Sequence, residues 1–157
     1  MPKTLLIAGL PSSGKTTLFT GLTGVFPASD PQHPGKEHEA TCNVEGTTFH
    51  VVDMPGNPRD LSAALSRRLA GASAVIVVVS GIPSTLENEQ KLVEKIVSAQ
   101  VYGTKKVFVF YRKQPENSQP PVPVPVVPKL KCYAKRTVHI LVQFPEKILS
   151  IINKHVS

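Results

Sequence analysis

A short apolar strand, Leu5-Leu6-Ile7-Ala8, runs directly into Gly9-Leu10-Pro11-Ser12-Ser13-Gly14-Lys15-Thr16, and the residues from Lys15 to about Leu22 read as a helix. Strand, glycine-bounded turn and helix in this order leave few folds open, because the turn must curl until its N–H groups converge on one point. The spacing G-x-x-x-x-G-K-[ST] is the one that cradles phosphate. The loop residues Gly9, Pro11, Ser12, Ser13 and Gly14 surround the anion, Lys15 reaches the β and γ phosphates, and the Thr16 hydroxyl is placed to ligate Mg²⁺. Thr17 follows on the first helical turn, where unpaired N–H groups and partial positive charge also favour phosphate. A nucleotide phosphate site is the first expectation.

The chain has 157 residues, one domain by length, with room for a single core but not for a second catalytic domain. Its two cysteines, Cys42 and Cys132, form neither a metal spacing nor a disulfide framework, and no signal peptide is visible, which together suggest a reducing, cytoplasmic setting. The longest apolar run, Ala74 to Val79, falls far short of the roughly 18–20 residues that span a bilayer, so no transmembrane segment is expected. Charge is divided unevenly. Residues 1–100 carry a net −1 and residues 101–157 a net +8, giving the +7 of the whole. Lys105, Lys106, Arg112, Lys113, Lys129, Lys131, Lys135 and Arg136 therefore make the C-terminal half a candidate surface for an acidic protein, RNA or an anionic membrane, or simply a solvated basic face.

Strand and helix patterns alternate. Asn57-Pro58 reads as a helix start, with Leu61, Ala64, Leu65, Arg68 and Leu69 on one face until Gly71. Ala74–Val79 is a β-branched run suited to a strand buried on both faces; Pro83–Val101 reads as an amphipathic helix, Val107–Tyr111 as a strand, Lys129–Ala134 as a further strand and Pro145–His155 as a closing helix. This alternation predicts an α/β fold with a mostly parallel sheet and its ligand at the carboxyl ends of the strands. From Pro115 to Pro128 six of fourteen residues are proline, which excludes a helix or a central strand, so an extended Pro-rich connector is expected in place of a crossover helix.

A second landmark is Val51-Val52-Asp53-Met54-Pro55-Gly56, a strand ending in Asp-x-x-Gly. In P-loop NTPases an acidic residue in this position holds Mg²⁺, usually through water, and the glycine can offer its N–H to a γ-phosphate. Asp53 and Thr16 are thus the candidate metal ligands, and Gly56 joins the phosphate contacts.

Together with Gly9-Leu10 and Ser13-Gly14-Lys15-Thr16-Thr17-Leu18-Phe19, this turn resembles the small GTPases of the Arf and Sar group, and most of all the beta subunit of the signal recognition particle receptor. The resemblance implies a P-loop, Ras-like three-layer sandwich, compacted near the C-terminus, that binds GTP or GDP with Mg²⁺. It further implies a docking role in protein targeting at the endoplasmic reticulum, through a protein partner on the switch-region face. There the family's beta subunit brings an N-terminal membrane span. Tyr111-Arg112-Lys113-Gln114-Pro115 falls where the family has Asn-Lys-x-Asp, and Cys132-Tyr133-Ala134-Lys135 where it has Ser-Ala-Lys. Candidate base contacts are accordingly Lys113, whose stem packs along a purine, Glu116, Ala134 through its N–H, and Lys135.

Departures from the pattern shape the expected activity. Pro115 stands where the family's aspartate accepts two hydrogen bonds from guanine, so base selectivity is expected to be weak. Pro34-Gly35-Lys36-Glu37 supplies no switch I threonine, and Asn57 replaces the longer residue that orients attacking water, which leaves Asn57 a weak catalytic candidate and hydrolysis slow. His33, His38 and His50 show no ligand or triad spacing. Three readings follow: a GTPase-fold binding and docking module with little turnover, a small-molecule or nucleotide kinase of the P-loop class, and a pseudo-GTPase scaffold without nucleotide.

Overall fold

The computed structural model describes residues 3–10, 15–24, 38–55, 58–79, 86–99, 106–111, 137–140 and 145–156. In chain order they form β1 (Lys3–Gly9), α1 (Lys15–Thr23), β2 (His38–Val44), β3 (Thr47–Asp53), α2 (Pro58–Arg68) with a 3₁₀ turn at Leu69–Gly71, and β4 (Ala74–Val79). There follow α3 (Leu86–Ala99), β5 (Lys106–Tyr111), β6 (Thr137–Ile140) and α4 (Pro145–Val156). Six strands make one sheet in the order β2-β3-β1-β4-β5-β6, parallel throughout except for the edge strand β2.

Side-chain alternation along the strands divides the core in two. Leu5, Ile7, Phe49, Val51, Ile76, Val78 and Phe108 face Leu18, Phe19 and Leu22 of α1 and Ile148, Leu149 and Ile152 of α4. Leu6, Ala8, Val52, Val75, Val77, Val107 and Val109 face Leu61, Ala64 and Leu65 of α2 and Leu92, Val93 and Ile96 of α3. Both faces of the sheet are thus covered, which is why β4 is an unbroken run, Ala-Val-Ile-Val-Val-Val, with every residue buried. The three-layer sandwich is the predicted one.

Local chemistry sets the element ends. Pro58 opens α2 at the position where its missing N–H has no intrahelical partner to lose. Gly24 closes α1 with φ 74° and its N–H on the Thr20 carbonyl at 2.8 Å, a left-handed cap that glycine adopts without a Cβ clash. β2 and β3 are joined by Glu45-Gly46, with φ 52° and 81°; positive values at both residues define a type I′ turn, whose twist suits an antiparallel pair.

One strand of the sheet was not foreseen. The sixth strand is Thr137–Ile140, parallel to β5, and the 129–134 segment proposed for it falls outside the described residues. Thr-Val-His-Ile brings three β-branched residues to a position beside the apolar β5. The Pro-rich connector at 115–128 also lies outside the described residues.

The type I′ turn generates a stability prediction. Glu45 sits in left-handed backbone where a β-carbon is unfavourable and asparagine is preferred. Its side chain accepts only an exposed hydrogen bond from Ser150 Oγ at 3.2 Å. Glu45→Asn is expected to stabilise the fold by about 0.5–1 kcal/mol, seen as a rise in denaturation midpoint at unchanged m-value. A fall would mean that the Ser150 contact outweighs the backbone strain.

Candidate functional site

In the sheet, β1 lies between β3 and β4, and beyond its carboxyl end the chain passes into α1 on one face of the sheet, whereas beyond the neighbouring end of β3 it passes into α2 on the other. A crevice opens at the carboxyl end of such a strand, because the connections diverge there. Gly9 ends β1 at that crevice and is buried, while Lys15 and Thr16 open α1 beside it.

Asp53 arrives from the neighbouring strand. It is the last residue of β3, in register with Ile7, and the next N–H, of Met54, donates to the Ile7 carbonyl at 2.8 Å. The backbone around Asp53 is therefore fixed by β1. Thr16 Oγ1 donates to Asp53 Oδ2 at 3.1 Å, and Lys15 Nζ stands 3.7 Å from Oδ1, close enough for an ion pair but beyond ordinary hydrogen-bond length. The Asp53 side chain is only 2% exposed, and Oδ1 accepts no hydrogen bond among the described residues. Burial pushes the Asp53 carboxyl above its usual range, against the opposing pull of Lys15, the Thr16 hydroxyl and His38.

A buried carboxylate oxygen without a donor, next to a threonine hydroxyl, is a hard oxygen set that fits Mg²⁺. No group of three or more His, Cys, Asp or Glu among the described residues could hold a metal alone. Two protein oxygens suit an ion that keeps several waters and binds phosphate, and they do not make a dedicated protein cage.

The expected residues divide clearly. Gly9, Lys15, Thr16 and Asp53 are brought together, and Thr17 lies exposed on the first turn of α1. Pro11, Ser12, Ser13, Gly14, Gly56 and Asn57 fall outside the described residues, as do Lys113, Glu116, Ala134 and Lys135. Chain order adds one fact about the last two: both precede β6, which begins at Thr137, whereas the ligand edge of this parallel sheet follows the strand ends.

Sequence reasoning missed His38. The hairpin register places it directly opposite Asp53. The signal was present in Glu45-Gly46, since a two-residue turn fixes every cross-strand pair behind it.

A second polar cluster sits away from this crevice. Glu39 on β2 accepts from Arg68 at the end of α2 and lies 3.4 Å from His50 Nε2, tying the edge strand to the helix. Between α2 and α3 a shallow groove of about 320 Å³ is lined by Ser62, Leu65, Ser66, Leu69 and Lys95. It belongs to the sheet face opposite α1, and Lys95 donates to the Ser62 hydroxyl within it.

The sheet order and the Lys15–Thr16–Asp53 constellation define a P-loop domain of the GTPase fold. The chain belongs to the signal recognition particle receptor beta subunit family, whose model matches residues 1–101. Among solved structures, the mammalian SRP receptor superposes with a TM-score of 0.60 at 22% identity, over 71% of this chain and 63% of that one. The G domain of the T. maritima FeoB iron transporter superposes with a TM-score of 0.71 at 22% identity over 100% of both chains. At these identities the likeness is one of fold. GTPase Der of Halorhodospira halophila is 28% identical over 111 residues, and the match spans 64% of this chain but only 24% of that protein. No helix among the described residues is long and apolar enough to cross a membrane.

The raised Asp53 carboxyl has a measurable consequence. With its folded-state pKa above the ordinary aspartate value of 3.8, the folded protein binds more protons than the unfolded chain as pH climbs from there through the raised value. Stability from this group therefore falls across that window. Asp53→Asn removes the buried charge, so without nucleotide or Mg²⁺ the variant is expected to melt higher at neutral pH, by about 2–4 °C for each kcal/mol relieved. Its melting temperature should also fall less between mildly acid and neutral pH. A wild type that melts higher than Asp53→Asn at neutral pH would show that Lys15 and Thr16 outweigh the burial.

Proposed function

We propose that this chain is a nucleotide-binding docking module: it binds GTP or GDP with Mg²⁺, discriminates weakly between bases, and turns over slowly on its own. The observation that carries the reading is the convergence of Lys15 and Thr16 on the buried Asp53 at the crevice beyond β1. In this reading the amides of residues 11–14 and the Lys15 ammonium hold the phosphates, while Thr16 and Asp53 hold Mg²⁺, which when bound neutralises triphosphate charge. Lys113 and Glu116, in the segment that follows β5, are the proposed base contacts.

The docking role extends from the family. A protein partner would meet the switch-region face, with the endoplasmic reticulum as the site where such a cytoplasmic module is recruited. The net +8 of residues 101–157 gives an acidic partner, RNA or an anionic membrane surface a second place to bind.

Calorimetry tests the site. Lys15→Ala removes a charge-assisted contact of about 1.5–3 kcal/mol, so triphosphate affinity in Mg²⁺ should fall about 10- to 100-fold. Absence of binding by the wild type, or an unchanged Lys15→Ala, would favour a scaffold without nucleotide.

Competition between GTP and ATP tests the base reading. The Pro115 side chain offers no hydrogen bond, so the preference for GTP should lie far below the roughly 10⁴–10⁵ that a hydrogen-bonding site achieves. A preference of that size would mean that Glu116 or another group has replaced the missing aspartate.

Hydrolysis is expected to be slow. Asn57 and the threonine-free 34–37 segment weaken two contacts that even competent GTPases supplement with a partner's arginine, worth roughly 10³–10⁵ in rate. Single-turnover assays of bound GTP beside Lys15→Ala decide it. Turnover within seconds, without any partner, would overturn this account.

A further inference from the structure

His38 stands at the nucleotide side of the fold, and neither the family pattern nor the functional reading above gives it a task. Strand partners that lie opposite each other share a sheet face, with Cβ atoms about 4.5–5.5 Å apart. His38 pairs with Asp53, Ala40 with Val51 and Cys42 with Phe49; Ala40 and Cys42 pack against the core beneath α1. His38 is thus on the α1 side of the sheet, half-buried and directly across from Asp53 on the neighbouring strand, while Lys15 and Thr16 reach Asp53 from the helix.

The needs of Asp53 give that position a meaning. Thr16 occupies Oδ2, and Oδ1 has no hydrogen-bond donor among the described residues, with Lys15 as a neighbouring cation at 3.7 Å. When the Lys15 ammonium turns to the phosphates, as the P-loop pattern requires, Asp53 loses that neighbour. A carboxylate serving a metal must then be kept in orientation by another group. His38 is on a paired strand and not on a loop, so it is available to Asp53 whichever nucleotide is present. It also directly follows Pro34-Gly35-Lys36-Glu37, the segment that offers no threonine to the cation.

We infer that His38 is a positioning residue of the phosphate and Mg²⁺ site, its imidazole N–H orienting the Asp53 carboxylate toward the cation while Lys15 serves the phosphates. This rests on the nucleotide-binding reading. It has a consequence that a switch I threonine would not have. A threonine on a loop ordered by γ-phosphate supports Mg²⁺ only beside a triphosphate, whereas a histidine on β2 supports it beside GDP and GTP alike.

The test is a calorimetric Mg²⁺ titration of the full chain loaded with GDP and, separately, with GTP, for the wild type, His38→Ala and His38→Asn. Residues that orient a metal ligand are worth about 10- to 100-fold in metal affinity, so His38→Ala should weaken Mg²⁺ by that factor in both complexes. His38→Asn, which keeps an N–H donor, should recover most of it. Nucleotide affinity in chelator should be unchanged in both variants. Nitrogen and proton NMR of the wild-type imidazoles gives a reading that no variant's folding can spoil: the His38 signals should shift when Mg²⁺ is added to the GDP complex. A folded His38→Ala with wild-type Mg²⁺ affinity, a loss confined to the GTP complex, or His38 signals that do not respond to Mg²⁺ would each overturn the inference alone. A wild type that binds neither nucleotide overturns the nucleotide reading, and this inference with it.

Discussion

Asp53 carries a charge that the fold has taken out of water. Its carboxylate lies at the end of a strand whose backbone is fixed by β1, under the first turn of α1, with one oxygen bonded to Thr16 and the other short of a donor. Burial of this kind is unfavourable unless a cation or a set of donors compensates, and here compensation is incomplete. The arrangement makes sense as a half-built site. Lys15, Thr16 and the paired β2 and β3 hold the carboxylate in place, and the oxygen left without a donor suits the hydrated divalent ion of the proposed reading.

Everything around that carboxylate serves to keep it still. β1 is the strand with neighbours on both sides where the connections diverge, and its residues Leu5 to Ala8 are buried on both faces. Phe19 of α1 lies fully buried against the sheet, which anchors the helix that delivers Lys15 and Thr16. The type I′ turn at Glu45-Gly46 fixes the register that brings His38 opposite Asp53. Positional precision at the crevice is thus inherited from apolar packing and turn chemistry some distance away.

The elements most readable in the sequence were those whose local chemistry admits one outcome. The helix that follows the glycine-bounded sequence, the six-residue apolar run of β4 and the proline at the start of α2 each specify their structure without reference to the rest of the chain. Val107–Tyr111 and Pro145–His155 were legible for the same reason and differ from β5 and α4 by a residue at one end. β6 was not, because Thr137–Ile140 is only four residues long and is defined by its pairing beside β5. His38 was missed for a related cause. Its meaning depends on which residue it faces, a cross-strand relation set by counting back from a turn, and periodicity along one strand does not contain it.

The same distinction separates the two halves of a nucleotide site. The proposed phosphate and cation side draws on β1, α1, β2 and β3, all within the residues 1–101 that the family model matches. In the proposed reading the base side falls to segments after β5, where the sequence is dense in proline and strongly positive and has Pro115 in place of the family's aspartate. Interactions with phosphate are made by backbone curvature, one ammonium and one hard cation, none of which senses the base. Discrimination between bases needs hydrogen bonds placed at a fixed point, and it is lost as soon as one acceptor goes. The N-terminal part can therefore retain full phosphate-binding chemistry while the C-terminal part changes. A chain that uses its nucleotide to hold a docking surface in shape depends on the phosphates and the cation, and it tolerates a degraded base pocket in a way that an enzyme selecting its substrate does not.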